Sequence, residues 1–128
     1  MIQTPEELIQ KWVQAVNEGN VEALIGMYNE KAVLIPTFSN RMRKTPERIR
    51  DYFETLEVKP GLHLGLHDST VTIIPIQNRA YGISGLYCWQ FLVDDELLNF
   101  EARFSYVVDL DQESPILQHH SSQIPRTL

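Results

Sequence analysis

The feature that most limits how this chain can fold is a change of period at residue 61. Before it, apolar residues recur at helical spacing. After it, the chain reads as extended segments of high β-propensity, at 62–76, 80–93, 97–110 and 115–124. Short polar turns separate them: Gln77-Asn78-Arg79, Asp94-Asp95-Glu96 and Asp111-Gln112-Glu113-Ser114. Long strands joined by turns this short pair with their neighbours in antiparallel fashion, so the spacing predicts a meander. Gly65, Gly82, Gly85 and Pro75 supply points at which such a sheet bulges and bends.

The first half carries helix punctuation. Thr4 caps a helix with Pro5 at its first position and Glu7 three residues on, and Leu8, Ile9, Trp12, Val13 and Val16 form its apolar stripe up to Gly19. Asn20 caps a second helix with Val21, Leu24, Ile25 and Tyr28 on one face. Residues 32–36 read as a short buried strand stopped by Pro36. Thr45 caps a third helix, with Pro46 behind it and an apolar stripe of Ile49, Tyr52, Phe53 and Leu56. Helices first and strands after predict a single α+β domain over residues 1–128. Three helices laid over a curved antiparallel sheet enclose a cone-shaped, mostly apolar pocket, the usual place for a ligand.

Composition narrows the partners. The net charge is −6 with 43% hydrophobic and 22% charged residues. An acidic chain repels phosphate backbones, which argues against nucleic acid and anionic membranes. The densest basic run, Arg41, Arg43, Lys44, Arg48 and Arg50, is interleaved with Glu47 and Asp51 and reads as a solvated face. The lone cysteine, Cys88, sits in an apolar run and reads as buried and inert. The first residues have no apolar core of the signal-peptide kind, and no stretch reaches the ~20 apolar residues of a membrane span, so a cytoplasmic location is expected.

The chemistry-bearing residues are few. His63 and His67 lie on an extended segment, which puts them ~13 Å apart, too far to share one zinc ion. His119 and His120 are adjacent and so point to opposite faces of a strand. No metal site and no cofactor is expected. The last strand, Gln118-His119-His120-Ser121-Ser122-Gln123, is unusually polar. By strict alternation, Ile116, Gln118, His120 and Ser122 share one face, and Leu117, His119 and Ser121 the other. If Ile116 points into the pocket, so do His120 and Ser122. A polar edge strand, or one that helps a dimer pair, accounts for the same pattern.

Three helices, a long meander and the ending HHSSQIP resemble the nuclear transport factor 2-like superfamily, and within it the branch with the association domain of calcium/calmodulin-dependent kinase II. VLIPTFSN followed by TPERIRDYF, together with HHSSQIP, is similar to the iota-class carbonic anhydrases, whose HHHSSxMP-type motif works without a metal. This chain has Gln118 for the first histidine and Ile124 for the methionine. The resemblance implies hydration of carbon dioxide to bicarbonate. It assigns catalytic roles to Thr37, Tyr52, His120 and Ser122, and substrate contacts to Arg103, Ser121, Phe38, Phe53 and Trp89. A cross-strand salt bridge with Glu101 is the other reading of Arg103. The class that competes with an enzyme is a non-catalytic dimeric module holding a small anion or metabolite. Apolar residues on both faces of 86–92 predict a homodimer through the sheet.

Overall fold

The computed structural model describes residues 1–125. Three helices precede most of the sheet: α1 (Pro5–Glu18), α2 (Val21–Met27) and α3 (Pro46–Glu57). Their starts follow the sequence. The side chains of Thr4, Asn20 and Thr45 accept from the backbone amides of Glu7, Ala23 and Arg48 at 3.1, 3.0 and 3.3 Å, which satisfies amides that a helix start leaves free. Gly19 closes α1 in the left-handed region at φ 67°, where a side chain would be strained.

The sheet has six strands: β1 (Tyr28–Ile35), β2 (His63–Leu66), β3 (Thr72–Gln77), β4 (Ala80–Val93), β5 (Glu96–Asp109) and β6 (Ile116–Gln123), in the order β1-β6-β5-β4-β2 with β3 also on β4. The meander forms as the turn spacing predicts. Two features correct the expectation. The sheet is mixed, because β1 runs parallel to β6 at its edge. The segment 62–76 breaks into two strands around a short 3-10 turn at Asp68–Thr70. Thr70 stabilises that break, bonding its own turn at His67 O (2.7 Å) and accepting from the Leu86 amide (2.9 Å). The second helix also stops one residue early: Tyr28 is already strand.

One face of the sheet meets the helices. There the long strands present Ile83, Tyr87, Trp89 and Phe91 from β4, and Ala102, Phe104, Tyr106 and Val108 from β5, all buried. Trp12 of α1 is fully buried against them, stacked on Tyr87 and edge-on to Trp89 and Tyr106. Removing a side chain of this size from such a core costs about 3–5 kcal/mol.

The last strand holds the decisive irregularity. Val107 pairs with Gln118 and Val108 with Ile116, so Leu117 is an extra residue bulged out of the ladder. Alternation restarts after it. Ile116 is buried, yet the next inward residues are His119 and Ser121 rather than His120 and Ser122. A one-residue slip moves every later side chain to the other face.

Gly85 faces inward where the sheet crowds. A Cβ there would lie 3.0 Å from the Phe104 ring and 3.1 Å from Thr70 Oγ1. Gly85→Ala is expected to cost about 1–3 kcal/mol, as other core overpacking does. Urea unfolding measures this. A variant as stable as the parent would contradict the close approach of β4 to Phe104.

Candidate functional site

Buried polar groups need partners, and in this core a chain of them find each other, while Tyr106 Oη has no partner among the described residues. The Trp12 indole Nε1–H donates to Tyr28 Oη at 3.1 Å. Tyr28 Oη lies 2.8 Å from His119 Nδ1, and His119 Nε2 lies 3.2 Å from Tyr87 Oη. The phenol of Tyr28 has one hydrogen, and its oxygen already accepts from Trp12. A neutral imidazole donates through one ring nitrogen and accepts at the other, so one of Tyr28 and Tyr87 accepts a hydrogen bond from His119 and the other donates one to it. Tyr106 stacks on the imidazole at 3.9 Å with an interplanar angle of 12°. Burial, and to a lesser extent the neighbouring His120, pull the imidazole pKa from 6.5 to about 3, so His119 is neutral.

The hydroxyls continue from there. Ser121, next inward on β6, is hydrogen-bonded to Thr37 in the loop after β1. Burial raises the Tyr87 phenol well above its usual range, partly offset by the hydroxyls of Ser121 and Thr37 around it. Burial likewise lifts Tyr52 of α3 to about 12, and its oxygen accepts from the Phe38 amide at 3.3 Å. Both phenols stay protonated at neutral pH. The result is a floor of neutral hydroxyls: Thr37, Tyr52, Tyr87 and Ser121. Trp89 Nε1, fully buried beside them, has no acceptor among the described residues.

A cavity of about 150 Å³ opens next to this floor, lined by Phe38, Ser39, Arg43, Tyr52, Thr55, Leu56 and Lys59. Arg43 is fixed by an isolated bridge to Leu34, which exchanges backbone bonds of 2.8 and 2.9 Å. Its guanidinium donates to Ser39 Oγ at 3.1 Å and sits 5.8 Å from the Tyr52 ring centroid. Its Nε is buried without a partner among the described residues. Lys59 Nζ stands 4.9 Å from the centre of the Phe91 ring. No carboxylate of the described residues pairs with either cation.

The structure thus gathers Thr37, Tyr52, Phe38 and Ser121. Trp89 stands just behind, with its ring 5.9 Å from that of Phe38. Phe53 packs into the core against Trp12 and Tyr28 instead of lining the cavity. Arg103, His120 and Ser122 lie on the opposite face of the sheet: the Leu117 bulge inverts the alternation that assigned His120 and Ser122 inward, and Arg103, placed in the pocket by the resemblance, alternates outward between the buried Ala102 and Phe104 of β5. Glu101 pairs with His67 at 2.9 Å, not with Arg103. Sequence reasoning missed Tyr28, Tyr87 and His119, and read Arg43 only as solvated charge. Among the described residues no group of three or more His, Cys, Asp or Glu is placed to hold a metal ion. Among the described residues no helix is long and apolar enough to cross a membrane.

Comparison with known proteins agrees with this architecture. Residues 6–127 match the family described as SnoaL-like domain. No curated protein matches the chain. Among solved structures, a calcium/calmodulin-dependent protein kinase II association-domain-like protein from Xanthomonas campestris has a TM-score of 0.84 and 24% identity, covering 98% of this chain and 95% of its own. An NTF2-like protein with a cystatin-like fold from Novosphingobium aromaticivorans has a TM-score of 0.75 and 12% identity, with 94% and 80% covered. A ketosteroid isomerase-like protein from Erwinia carotovora atroseptica has a TM-score of 0.78 and 9% identity, with 94% and 93% covered. At these identities the likeness shows the fold.

The neutral imidazole makes stability depend on pH. The folded pKa of His119 is depressed, so its contribution is complete above about pH 6.5 and is lost as pH falls toward about 3. His119→Gln cannot titrate there. The parent is expected to lose melting temperature steadily over that window, and the variant to lose distinctly less, by calorimetry at stepped pH. Parallel curves for the two proteins would contradict a buried neutral His119.

Proposed function

This chain belongs to the SnoaL-like domain family, and from that premise we propose that its pocket binds a small oxyanion, a carboxylate or bicarbonate, without turning it over. The observation that carries the reading is Arg43. A guanidinium with a buried, unpartnered Nε faces a cavity of about 150 Å³ beside Lys59. An uncompensated cation in such a place favours an anion, and the planar fork of arginine matches the two oxygens of a carboxylate. The neutral hydroxyl of Tyr52 in the lining adds a polar group without adding charge. Phe38 and Leu56 give the rest of the ligand an apolar wall. The volume suits an anion of a few heavy atoms.

Hydration of carbon dioxide is the second reading. It is favoured by the Thr37–Ser121 hydroxyl pair with Tyr52 beside it, three groups able to hold a water and orient bicarbonate. Proton removal is where this reading weakens. His119 has both nitrogens engaged by tyrosines and a pKa pulled to about 3, so it does not take a proton at neutral pH. His120 lies on the other sheet face. A hydrating site would have to release the proton directly to solvent, which makes it slow.

Titration with acetate and with bicarbonate at fixed ionic strength tests the binding reading. Saturable amide shifts around Phe38, Arg43 and Lys59 are expected. Arg43→Met should weaken binding by about tenfold or more, the usual worth of a charge-assisted hydrogen bond. Arg48→Met, an exposed neighbour, should leave it unchanged. Equal affinity in the Arg43 variant would overturn the assignment. Carbon dioxide hydration by stopped flow separates the two readings: turnover proportional to enzyme, and lost in Thr37→Val, would establish the second in place of the first.

A further inference from the structure

The basic run at residues 41–50 does not behave as a plain solvated face. Of its five cations, only Arg50 finds an acid, Glu22 at 2.6 Å. Arg41, Arg43, Lys44 and Arg48 make no ion pair among the described residues, although Glu47 and Asp51 lie in the same stretch. These four cations line one concavity of about 230 Å³, and no carboxylate is in its lining. Like charges gathered without an acid repel one another, so an anion between them relieves a cost that the empty basin carries. The basin adjoins the site already described. Arg43 is a wall of both, of this outer basin and of the inner cavity that contains Tyr52 and Lys59. The register of α3 sets the two in line. Arg48, Tyr52 and Thr55 follow at i, i+4 and i+7, which puts them on one stripe of the helix. Arg48 belongs to the outer lining, and Tyr52 and Thr55 to the inner one, about 6 and 10 Å further along the axis. The Arg43 fork lies at the junction. Its Nη1 donates to the Arg48 carbonyl at 3.4 Å and its Nη2 to the Ser39 hydroxyl at 3.1 Å. Neither partner is charged, so the guanidinium is braced between the two spaces without being neutralised.

We propose that the anion this pocket takes is a dicarboxylate. One carboxylate sits in the inner cavity at Arg43 and Lys59, and the other reaches over Arg43 into the basin of Arg41, Lys44 and Arg48. This inference rests on the anion-binding reading above and adds the class of ligand. The inner cavity, at about 150 Å³, has room for one carboxylate and a short apolar stem against Phe38 and Leu56. A monocarboxylate held there leaves the outer cations without a partner. A second carboxylate about one helical turn away meets them, and short aliphatic diacids such as succinate and glutarate have that reach. The outer cations are exposed, so each adds little by itself. Three of them around one anion add up. The outer basin therefore selects for a second charge, while the inner cavity fixes the first.

Amide-resolved NMR titrations of the full chain with acetate, monomethyl succinate, succinate and glutarate, at constant ionic strength, test it. Monomethyl succinate keeps the length of succinate and lacks its second charge. The better diacid is expected to bind about tenfold more tightly than the monoester. It should shift amides of both linings, Phe38 and Lys59 on one side, Lys44 and Arg48 on the other. Lys44→Met and Arg48→Met should each shrink the ratio of diacid to monoester affinity by about threefold. Acetate does not reach the outer basin, so Arg48→Met is silent toward acetate and telling toward a diacid. Both side chains are exposed, so both variants should fold. Three results would overturn the proposal while leaving the acetate response in place: diacids no tighter than the monoester, a ratio unchanged in both variants, or diacid shifts confined to the outer lining. Acetate and diacids that alike fail to move the amides of the Arg43 cavity would overturn the anion reading itself, and this proposal with it.

Discussion

His119 holds the interior together. An imidazole with no solvent contact is tolerable in an aromatic core only if both nitrogens are bonded and the ring is neutral. Tyr28 and Tyr87 meet the first condition, and burial imposes the second. From that follow the complementary donor and acceptor roles of the two phenols, the stack with Tyr106 and the edge-on approach of Trp12 at 5.1 Å. Four elements are tied at one point: α1 through Trp12, β1 through Tyr28, β4 through Tyr87 and β6 through the histidine. The hydroxyl floor is the continuation of this chain of bonds toward the loop that carries Thr37 and Phe38.

Much of this fold was legible because its signals are local. A Thr-Pro pair starts α1 and α3, and β4 and β5 are long alternating runs joined by a turn at Asp94-Asp95, both at positive φ. These require only neighbours in the chain. The errors arose where a distant partner decides. Tyr28 fits the apolar face of α2 by spacing, but the parallel pairing with β6 takes it into strand. The segment 62–76 looks continuous, and only Thr70 reaching to Leu86 shows why it breaks.

The site was legible in its residue types and misread in its faces. Thr37, Tyr52 and Ser121 stand together. His120 and Ser122 do not join them, because one bulged residue separates Ile116 from the polar run, and Arg103 does not because it alternates outward on β5. Nothing in the sequence marks Leu117 as the bulge, since it is neither glycine nor proline. Arg43 was hidden differently, inside a basic run whose other members are mostly exposed. Its distinction is the bridge to Leu34, which only the folded loop makes. These two displacements change the chemistry of the pocket from a histidine beside hydroxyls to an arginine beside hydroxyls. On the proposed reading, that exchanges a proton acceptor for an anion receptor.

The claim on which all of this rests is that His119 faces the core and His120 faces solvent. Brief treatment with diethyl pyrocarbonate at neutral pH, followed by tandem mass spectrometry of the peptide containing both, reads the two imidazoles separately. The reagent attacks accessible neutral imidazole. Modification is predicted at His120, with His119 protected until the protein is unfolded by denaturant. Rapid modification of His119 in the folded protein, with His120 spared, would contradict the register of β6 and the pocket built on it.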